Sequence, residues 1–170
     1  MTDAEFREAF YRHKDAVHRF AYRMTGSTAA AEDAVQDCFA ALWRKPEAFD
    51  PSRGPLRAFL MGVARNSIFK QWRRERKQEP LDDDTWICAP FDVAALERSE
   101  AVKRAILALP PLQREALILA EYEEMALEEI ASATGAEVGA VKSRLHRARQ
   151  NLRGMLAPLL QPKGTLNATK

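Results

Sequence analysis

The stretch LEEIASATGAEVGAVKSRLHRAR, residues 127–149, decides the architecture of this 170-residue chain. Apolar residues recur at helical spacing on both sides of Gly135. The first set includes Leu127 and Ile130, and the second begins at Val138. Because glycine readily adopts the backbone conformations that tight turns require, the pattern predicts two short helices around a turn at Gly135, a helix-turn-helix.

The second helix of this motif has an apolar side and a cationic side. Its apolar stripe, expected to pack inward, consists of Val141, Leu145, Ala148 and Leu152. The opposite face holds Gly139, Ser143, His146, Arg147 and Gln150, and Lys142, Arg144 and Arg149 flank it. In a helix-turn-helix the second helix enters the DNA major groove, where arginine reads guanine and cations bind phosphates. The face is therefore a candidate DNA-binding surface, and the alternative is an ordinary amphipathic helix with a solvated basic side.

The net charge of the chain is only +2, so any attraction to DNA must come from local patches. One basic patch comprises Arg65, Lys70, Arg73, Arg74, Arg76 and Lys77. A second comprises Lys142, Arg144, Arg147, Arg149 and Arg153. Acidic clusters at 82–84 and 121–129 offset them. Separated charge of both signs indicates partner surfaces of both signs, although a single charge run can also be no more than a solvated face.

The sequence contains few of the patterns expected of an enzyme, a metal-binding protein or a membrane protein. Two cysteines, Cys38 and Cys88, are too few for a disulfide framework and fit a reducing compartment. Asp33 and Asp37 lie one helical turn apart without a nucleophile or metal partner, which favours a partner-binding acidic face over catalysis. No zinc pattern, catalytic motif or membrane-length apolar run occurs. We therefore expect a soluble, cytoplasmic, non-enzymatic protein that needs no cofactor or metal and does not insert into a membrane.

The hydrophobic periodicity predicts an all-α fold of two small helical domains. Helices are expected at about 3–24, 28–44, 55–72, 93–109 and 112–122, before the helix-turn-helix. The stripe predicted to be buried on the second helix contains Val35, Cys38, Phe39, Leu42 and Trp43. The domains should cover residues 1–77 and 93–160, with a flexible acidic linker at 78–92 and a disordered tail at 161–170.

The third helix starts apolar and ends in the basic and aromatic sequence RNSIFKQWRRERK, residues 65–77. Aromatic rings interleaved with cations can stack unpaired bases while the cations hold the backbone. Taken alone, the segment favours the simpler interpretation that Phe69 and Trp72 are core residues. The loop before this helix can form a small pocket from Phe49, Asp50, Ser52 and Arg53.

Three segments, in this order, resemble the sigma-70 family and specifically its compact extracytoplasmic-function (ECF) group. They are AEDAVQDCFAALWR (31–44), similar to region 2.2; RAFLMGVARNSIFKQWRRERK (57–77), similar to regions 2.3 and 2.4; and ALPPLQREALILAEYEEMALEEIASATGAEVGAVKSRLHRARQNLR (108–153), similar to region 4. The resemblance covers about residues 10–156. No single motif decides it, whereas the three together with a short acidic linker are highly specific.

The resemblance implies a promoter-specificity subunit that binds bacterial core RNA polymerase and promoter DNA. The face of Asp33, Gln36 and Asp37 would dock on the clamp helices of the largest catalytic subunit. The loop containing Phe49, Asp50, Ser52 and Arg53, with Asn66 on the next helix, would capture a flipped base of the minus-ten element. DNA near the melted junction would be held by Arg65, Lys70, Arg73 and Arg74. The minus-thirty-five element would be read by Lys142, Ser143, His146 and Arg147.

The resemblance also implies a regulatory partner and a role for the linker. Family members of this size are commonly held inactive by an anti-sigma factor, although the sequence itself does not show one. The linker at 78–92 would thread toward the active centre of polymerase, where its aspartates would mimic the charge of RNA. Family members often carry tryptophan where Phe59 stands, so Phe59 is given no stacking role.

Two other classes of protein remain open. One is a stand-alone helix-turn-helix transcriptional regulator that reads a signal through its N-terminal half. The other is an anti-sigma-like or adaptor protein that binds only protein. The basic and aromatic helix favours the sigma factor over both, because a plain regulator has no need to stack unpaired bases.

Overall fold

The structure, a computed structural model, describes residues 1–75 and 91–160 of the chain. Within these ranges it consists of helices and connecting turns, without a strand. The α-helices are α1 (Asp3–Thr25), α2 (Thr28–Arg44), α3 (Leu56–Arg74), α4 (Arg98–Leu107), α5 (Pro111–Leu117), α6 (Leu127–Thr134) and α7 (Val138–Leu160). The predicted all-α class is confirmed. The predicted linker, apart from its last two residues, and the predicted tail at 161–170 lie outside the described residues.

Local capping signals set the ends of the first two helices. Thr2 and Glu5 form a capping box at the start of α1, and Gly26 ends it in the left-handed conformation with a φ of 69°. The side chain of Ser27 then caps α2 by accepting a hydrogen bond from the backbone N–H of Ala30. The predicted bounds of both helices are therefore confirmed to within a residue.

One member of the stripe predicted to be buried on α2 is exposed. Cys38, Phe39 and Leu42 are buried, but Trp43 is 50% exposed. Its ring packs edge-on against Phe6, in the first turns of α1, with the ring centroids 5.0 Å apart. The prediction for Trp43 is wrong. Helical spacing identifies which side of α2 faces inward, but it does not show that α1, which covers that side, ends close to Trp43.

The second half of the chain begins less regularly than its periodicity predicts. Instead of one helix over 93–109, Val93–Ala95 form a short 3₁₀ turn and α4 begins at Arg98. Asp92 caps the short turn by accepting a hydrogen bond from the N–H of Ala94 at 3.0 Å. An aspartate that bonds the backbone locally competes with helix formation, and the apolar spacing alone does not register that competition.

The helix predicted over 112–122 divides as well. After α5 the backbone widens into a π-helical turn, Ile118–Tyr122. The N–H of Glu123 closes this turn on the carbonyl of Ile118 at 3.1 Å. Glu123 is thereby turned inward, with 1% of its surface exposed, although it belongs to an acidic run that reads as solvated.

The predicted helix-turn-helix is confirmed. Gly135 ends α6 in the left-handed conformation with a φ of 68°, and α7 begins at Val138. The inner stripe of α7 is buried at Val141, Leu145 and Ala148, which fixes the orientation of the helix on the domain.

The two halves pack on each other, α3 against α6 and α1 against α4. Gly62 of α3 permits a close approach, since a Cβ added there would lie 2.7 Å from the carbonyl oxygen of Ala133 in α6. Arg114 of α5 is buried and donates a hydrogen bond to the carbonyl of Met24, at the end of α1, at 2.6 Å. Buried side chains from both halves form one continuous core.

Candidate nucleic-acid interface

The outward side of α7 presents the residues that the sequence predicts to read DNA. All of them are exposed: Lys142, Ser143, His146 and Arg147. They face away from the buried stripe because residues three or four apart share a side of a helix. The structure therefore brings the predicted set together on one accessible surface with the polarity that major-groove binding requires.

Two short 3₁₀ turns, Pro46–Ala48 and Pro51–Arg53, shape the loop before α3. Asp50 caps the second turn by accepting hydrogen bonds from the hydroxyl of Ser52 at 2.7 Å and from its N–H at 2.9 Å. These bonds lower the pKa of the Asp50 carboxyl. The loop thus presents an ionised carboxylate at neutral pH, and the hydroxyl of Ser52 supports that carboxylate.

A cavity of about 190 Å³ lies between this loop, α3 and α6. Residues of the predicted minus-ten set that line it are Phe49, Asp50, Arg53 and Asn66. Ser132 and Ala133 of α6 form part of its wall, and the hydroxyl of Ser132 donates to the carbonyl of Arg53 at 3.3 Å. Sequence reasoning missed these two residues, because they belong to the other half of the chain and carry no local signal for a pocket.

The cations of α3 divide into two groups. Arg65 is directed toward the second half, where it donates from Nε and Nη2 to the carboxylate of Glu115 at 2.7 and 3.2 Å. Lys70, Arg73 and Arg74 are exposed. The predicted basic surface is therefore accessible at the end of α3, whereas the side chain of Arg65 is only 17% exposed.

The aromatic residues of α3 face inward. Phe69 is buried and Trp72 is half-buried, and their ring centroids lie 5.3 Å apart. The guanidinium of Arg65 lies over the ring of Phe69, 4.3 Å from its centroid. The interpretation of Phe69 as a core residue is confirmed. The ring of Phe69 could stack on a base only if the side chains around it moved.

The acidic face of α2 adjoins these cations. Asp33, Gln36 and Asp37 are all exposed, and they line a groove whose other side includes Asn66 and Lys70 of α3. The hydroxyl of Ser67 donates to Asp37 at 2.6 Å and ties the two helices together. Surfaces of opposite charge therefore meet along one groove.

Neither a metal cluster nor a bilayer-spanning helix is found in residues 1–75 and 91–160. No three histidine, cysteine, aspartate or glutamate side chains there are placed to hold a metal ion. No helix in these ranges is long and apolar enough to cross a membrane. The candidate interface consists of cationic, amide, hydroxyl and carboxylate groups, which bind phosphates and base edges.

Comparison with known proteins assigns the family. Residues 9–78 match the family model of sigma-70 region 2, and residues 99–152 match that of sigma-70 region 4. The chain is 32% identical over 158 residues to the ECF RNA polymerase sigma factor RpoE of Cereibacter sphaeroides. This alignment covers 89% of the present chain and 86% of RpoE. The chain belongs to the ECF sigma factors of the sigma-70 family. This sigma factor is also 32% identical over 164 residues to SigL of Mycobacterium tuberculosis, with 93% of each protein covered.

Two solved structures share the fold of this sigma factor. The sigma factor RpoE in complex with the anti-sigma factor NepR, from Bartonella quintana, is 28% identical, with a TM-score of 0.72 over 90% of this chain and 97% of that one. CnrH in complex with the cytosolic domain of CnrY is 26% identical, with a TM-score of 0.67 over 92% and 90% of the two chains. The membership of the sigma-70 family that the three sequence segments indicate is confirmed. The residue roles that it implies stay predictions.

Proposed function

We propose that this sigma factor binds core RNA polymerase, directs it to specific promoters and initiates transcription, under the control of an anti-sigma factor. One observation carries the proposal: the chain has two surfaces suited to nucleic acid, the basic face of α7 in the second half and the cavity beside Asn66, whose candidate base-binding groups come from the first half. A stand-alone regulator needs only the first. A protein that locates a promoter and also opens it needs both.

The face of α7 is suited to double-stranded DNA at the minus-thirty-five element. Arg147 can form two hydrogen bonds with a guanine edge, and Ser143 can bond several base edges. Lys142 lies beside them and can hold a phosphate. Because the apolar stripe behind these residues is buried, they would enter the major groove as one rigid surface.

The cavity beside Asn66 is suited to one unpaired base of the minus-ten element. Its walls offer the ring of Phe49 for stacking, and the amide of Asn66 and carboxylate of Asp50 for the polar edge of a base. Lys70 and the exposed arginines of α3 would hold the phosphates of the same strand. Flipping a base costs a few kcal/mol, which these contacts would have to offset.

The acidic face of α2 is the surface proposed for core polymerase. This face and Lys70 lie along the same groove. Polymerase bound to the acidic face and melted DNA bound at Lys70 would therefore lie next to each other. Structural likeness to RpoE and CnrH, each solved with a second protein, supports an anti-sigma partner for this chain. The protein would work in the cytoplasm, where core polymerase meets the chromosome.

Run-off transcription with purified core polymerase tests the proposal. Promoters can be found by sequencing the transcripts that appear when the protein is overproduced. Asn66→Ala should reduce the permanganate reactivity of unpaired thymines while leaving core binding intact. Gln71→Ala is the matched control, since Gln71 is an amide on the same helix that bonds Glu75 at 2.9 Å. If the chain gives no promoter-dependent transcript with core polymerase but binds duplex DNA tightly alone, the proposal fails.

A further inference from the structure

A cavity of about 500 Å³ lies between α1, the start of α2, α4 and the π-helical turn. Its walls come from both halves of the chain, and none of its lining residues belongs to the cavity beside Asn66. It also contains none of the residues predicted to contact DNA or core polymerase. Small-molecule sites commonly have volumes of about 300–1,000 Å³, so this cavity is large enough for a ligand of its own.

The polar part of this cavity is cationic. Arg19 and Arg23 enter its wall from α1, and Lys103 and Arg104 enter from α4. Among the described residues that line the cavity, Glu100 supplies the one carboxylate. The walls therefore carry an excess of positive charge, and cations that converge on a concave surface attract an anion.

Nearby carboxylates balance only two of these cations. Glu100 lies 3.7 Å from Arg104, with both side chains about half exposed, and Glu123 lies 3.9 Å from Arg23. Arg19 and Lys103 are exposed and form no ion pair with any residue in the described part of the chain. One of them comes from each half, so an anion between them can accept hydrogen bonds from two sides, as a phosphate group does.

An aromatic wall adjoins these cations. Tyr122, on the π-helical turn, is 41% exposed. The guanidinium of Arg23 covers one face of its ring, 4.0 Å from the centroid. A ring supported on one face can stack a second aromatic group on the other. Leu107 adds apolar surface to the same cavity. Available cations beside an exposed ring suit a ligand that carries both phosphates and an aromatic ring.

We infer that this cavity binds a nucleotide with two or more phosphates, which Arg19 and Lys103 hold while the base stacks on Tyr122. A single strand of nucleic acid follows a basic groove, whereas these cations converge on a compact site. The exposed carboxylates of Glu121 and Glu124 lie close to Tyr122 in the chain and would repel the extended backbone of a strand. The inference does not depend on the proposed function, because no residue of the proposed DNA and polymerase surfaces takes part.

Isothermal titration calorimetry of the full chain with ATP and with GTP, in buffer without divalent metal ions, tests the inference. Inorganic tripolyphosphate and adenosine serve as partial ligands. At least one nucleotide should bind, and tripolyphosphate should bind about tenfold more weakly because it lacks the stacked base. Adenosine should bind more weakly than the nucleotides. Binding of tripolyphosphate as tight as that of both nucleotides would overturn the inference, as would a failure of both nucleotides to bind.

Four variants locate the phosphates. Arg19→Gln and Lys103→Gln should each weaken nucleotide binding about tenfold, because each removes a hydrogen bond between a cation and a phosphate. Arg12→Gln and Arg98→Gln are the matched controls, since both are exposed arginines on the same two helices and neither lines the cavity. Circular dichroism checks that each variant is folded. An equal loss in all four variants would show an effect of overall charge and would overturn the inference.

Tyr122→Leu separates the base from the phosphates, because leucine keeps apolar volume but offers no ring. The affinity for the nucleotide should fall, whereas the affinity for tripolyphosphate should stay unchanged. Equal affinity of the wild type and Tyr122→Leu for the nucleotide would contradict the stacking. Displacement of the nucleotide by a short single-stranded DNA, with the same dependence on Lys103, would make the cavity part of the nucleic-acid interface and would overturn the inference. These measurements use neither polymerase nor promoter, so the proposed function stands or falls separately.

Discussion

Arg65 of α3 and Glu115 of α5 form a two-bond ion pair, at 2.7 and 3.2 Å, between residues 50 positions apart in the chain. The pair connects α3, in region 2, with α5, in region 4. In this arrangement the guanidinium of Arg65 has the carboxylate of Glu115 as its anionic partner. The same contact depends on further buried groups, which can be tested one at a time.

Arg114→Ala should lower the free energy of unfolding by about 3 kcal/mol, because it strips hydrogen bonds from buried carbonyls. The carbonyls that accept from Arg114 are those of Met24, Leu107 and Leu109, at 2.6 to 2.9 Å. Urea denaturation followed by circular dichroism measures the change. Arg104→Ala is the control, because Arg104 forms an exposed ion pair with Glu100 on the same helix, and loss of that pair should lower the free energy of unfolding by less than about 1 kcal/mol. Equal stability of the two variants would contradict the assigned role of Arg114.

Much of the helical framework could be predicted because its signals are local. Gly26 and Gly135 adopt the left-handed conformation that glycine favours, and Ser27 caps the helix that follows it. The exposed face of α7 could be predicted too, because one helix carries both its buried and its exposed residues. Phe49 and Asn66 were predicted to be neighbours, and they do line one cavity. The loop that contains Phe49 leads directly into α3, which carries Asn66.

The contact between the halves could not be predicted from the sequence, because no local pattern encodes it. No local pattern marks Glu115 or Glu123 for burial, yet both are buried and paired with arginines far away in the chain. Ser132 reads as a polar residue of a short helix, yet it helps to close a cavity built by region 2. Periodicity reports which side of a helix is apolar, and it does not report which buried charges find partners.

Gly62→Ala should loosen the contact between α3 and α6. The added Cβ would lie 2.7 Å from the carbonyl oxygen of Ala133, so the backbone of one helix has to move. Gly154→Ala is the control, because a Cβ there meets nothing within 4 Å and should stabilise its helix by up to about 1 kcal/mol. Hydrogen exchange of the α6 amides should therefore accelerate in Gly62→Ala alone. Unchanged exchange in that variant would show that the helices yield without separating.

Arg147→Ala should weaken binding of the polymerase holoenzyme to its promoter by about 1–3 kcal/mol and relax specificity in the minus-thirty-five element. The reason is the loss of a bidentate contact with a base. Arg149→Ala removes the same charge from the same helix, but Arg149 bonds Glu121 and should affect all sequences alike. Affinities for the promoter and for single-base variants of it measure the difference. A loss in Arg147→Ala that is equal on every sequence would make Arg147 a phosphate contact.

Cys38 should resist alkylation in the folded chain and should make stability depend on pH above about 9. Its thiol is buried and donates to the carbonyl of Leu60 at 3.3 Å, and burial raises its pKa to about 12. The unfolded thiol ionises near pH 8.5. Its stabilising contribution is therefore complete below that pH and is lost, by up to about 1.4 kcal/mol per pH unit, as the pH rises toward 12.

Cys88→Ser provides the background for measuring Cys38, because it leaves one thiol in the chain. Labelling by a thiol reagent should then require urea, and the unfolding free energy should fall more steeply above pH 9 than in a chain that also carries Cys38→Ala. Parallel pH profiles for the two chains would contradict the raised pKa. Rapid labelling without urea would show that Cys38 is accessible, and the α2–α3 contact that buries it would have to open far more often than a packed core does.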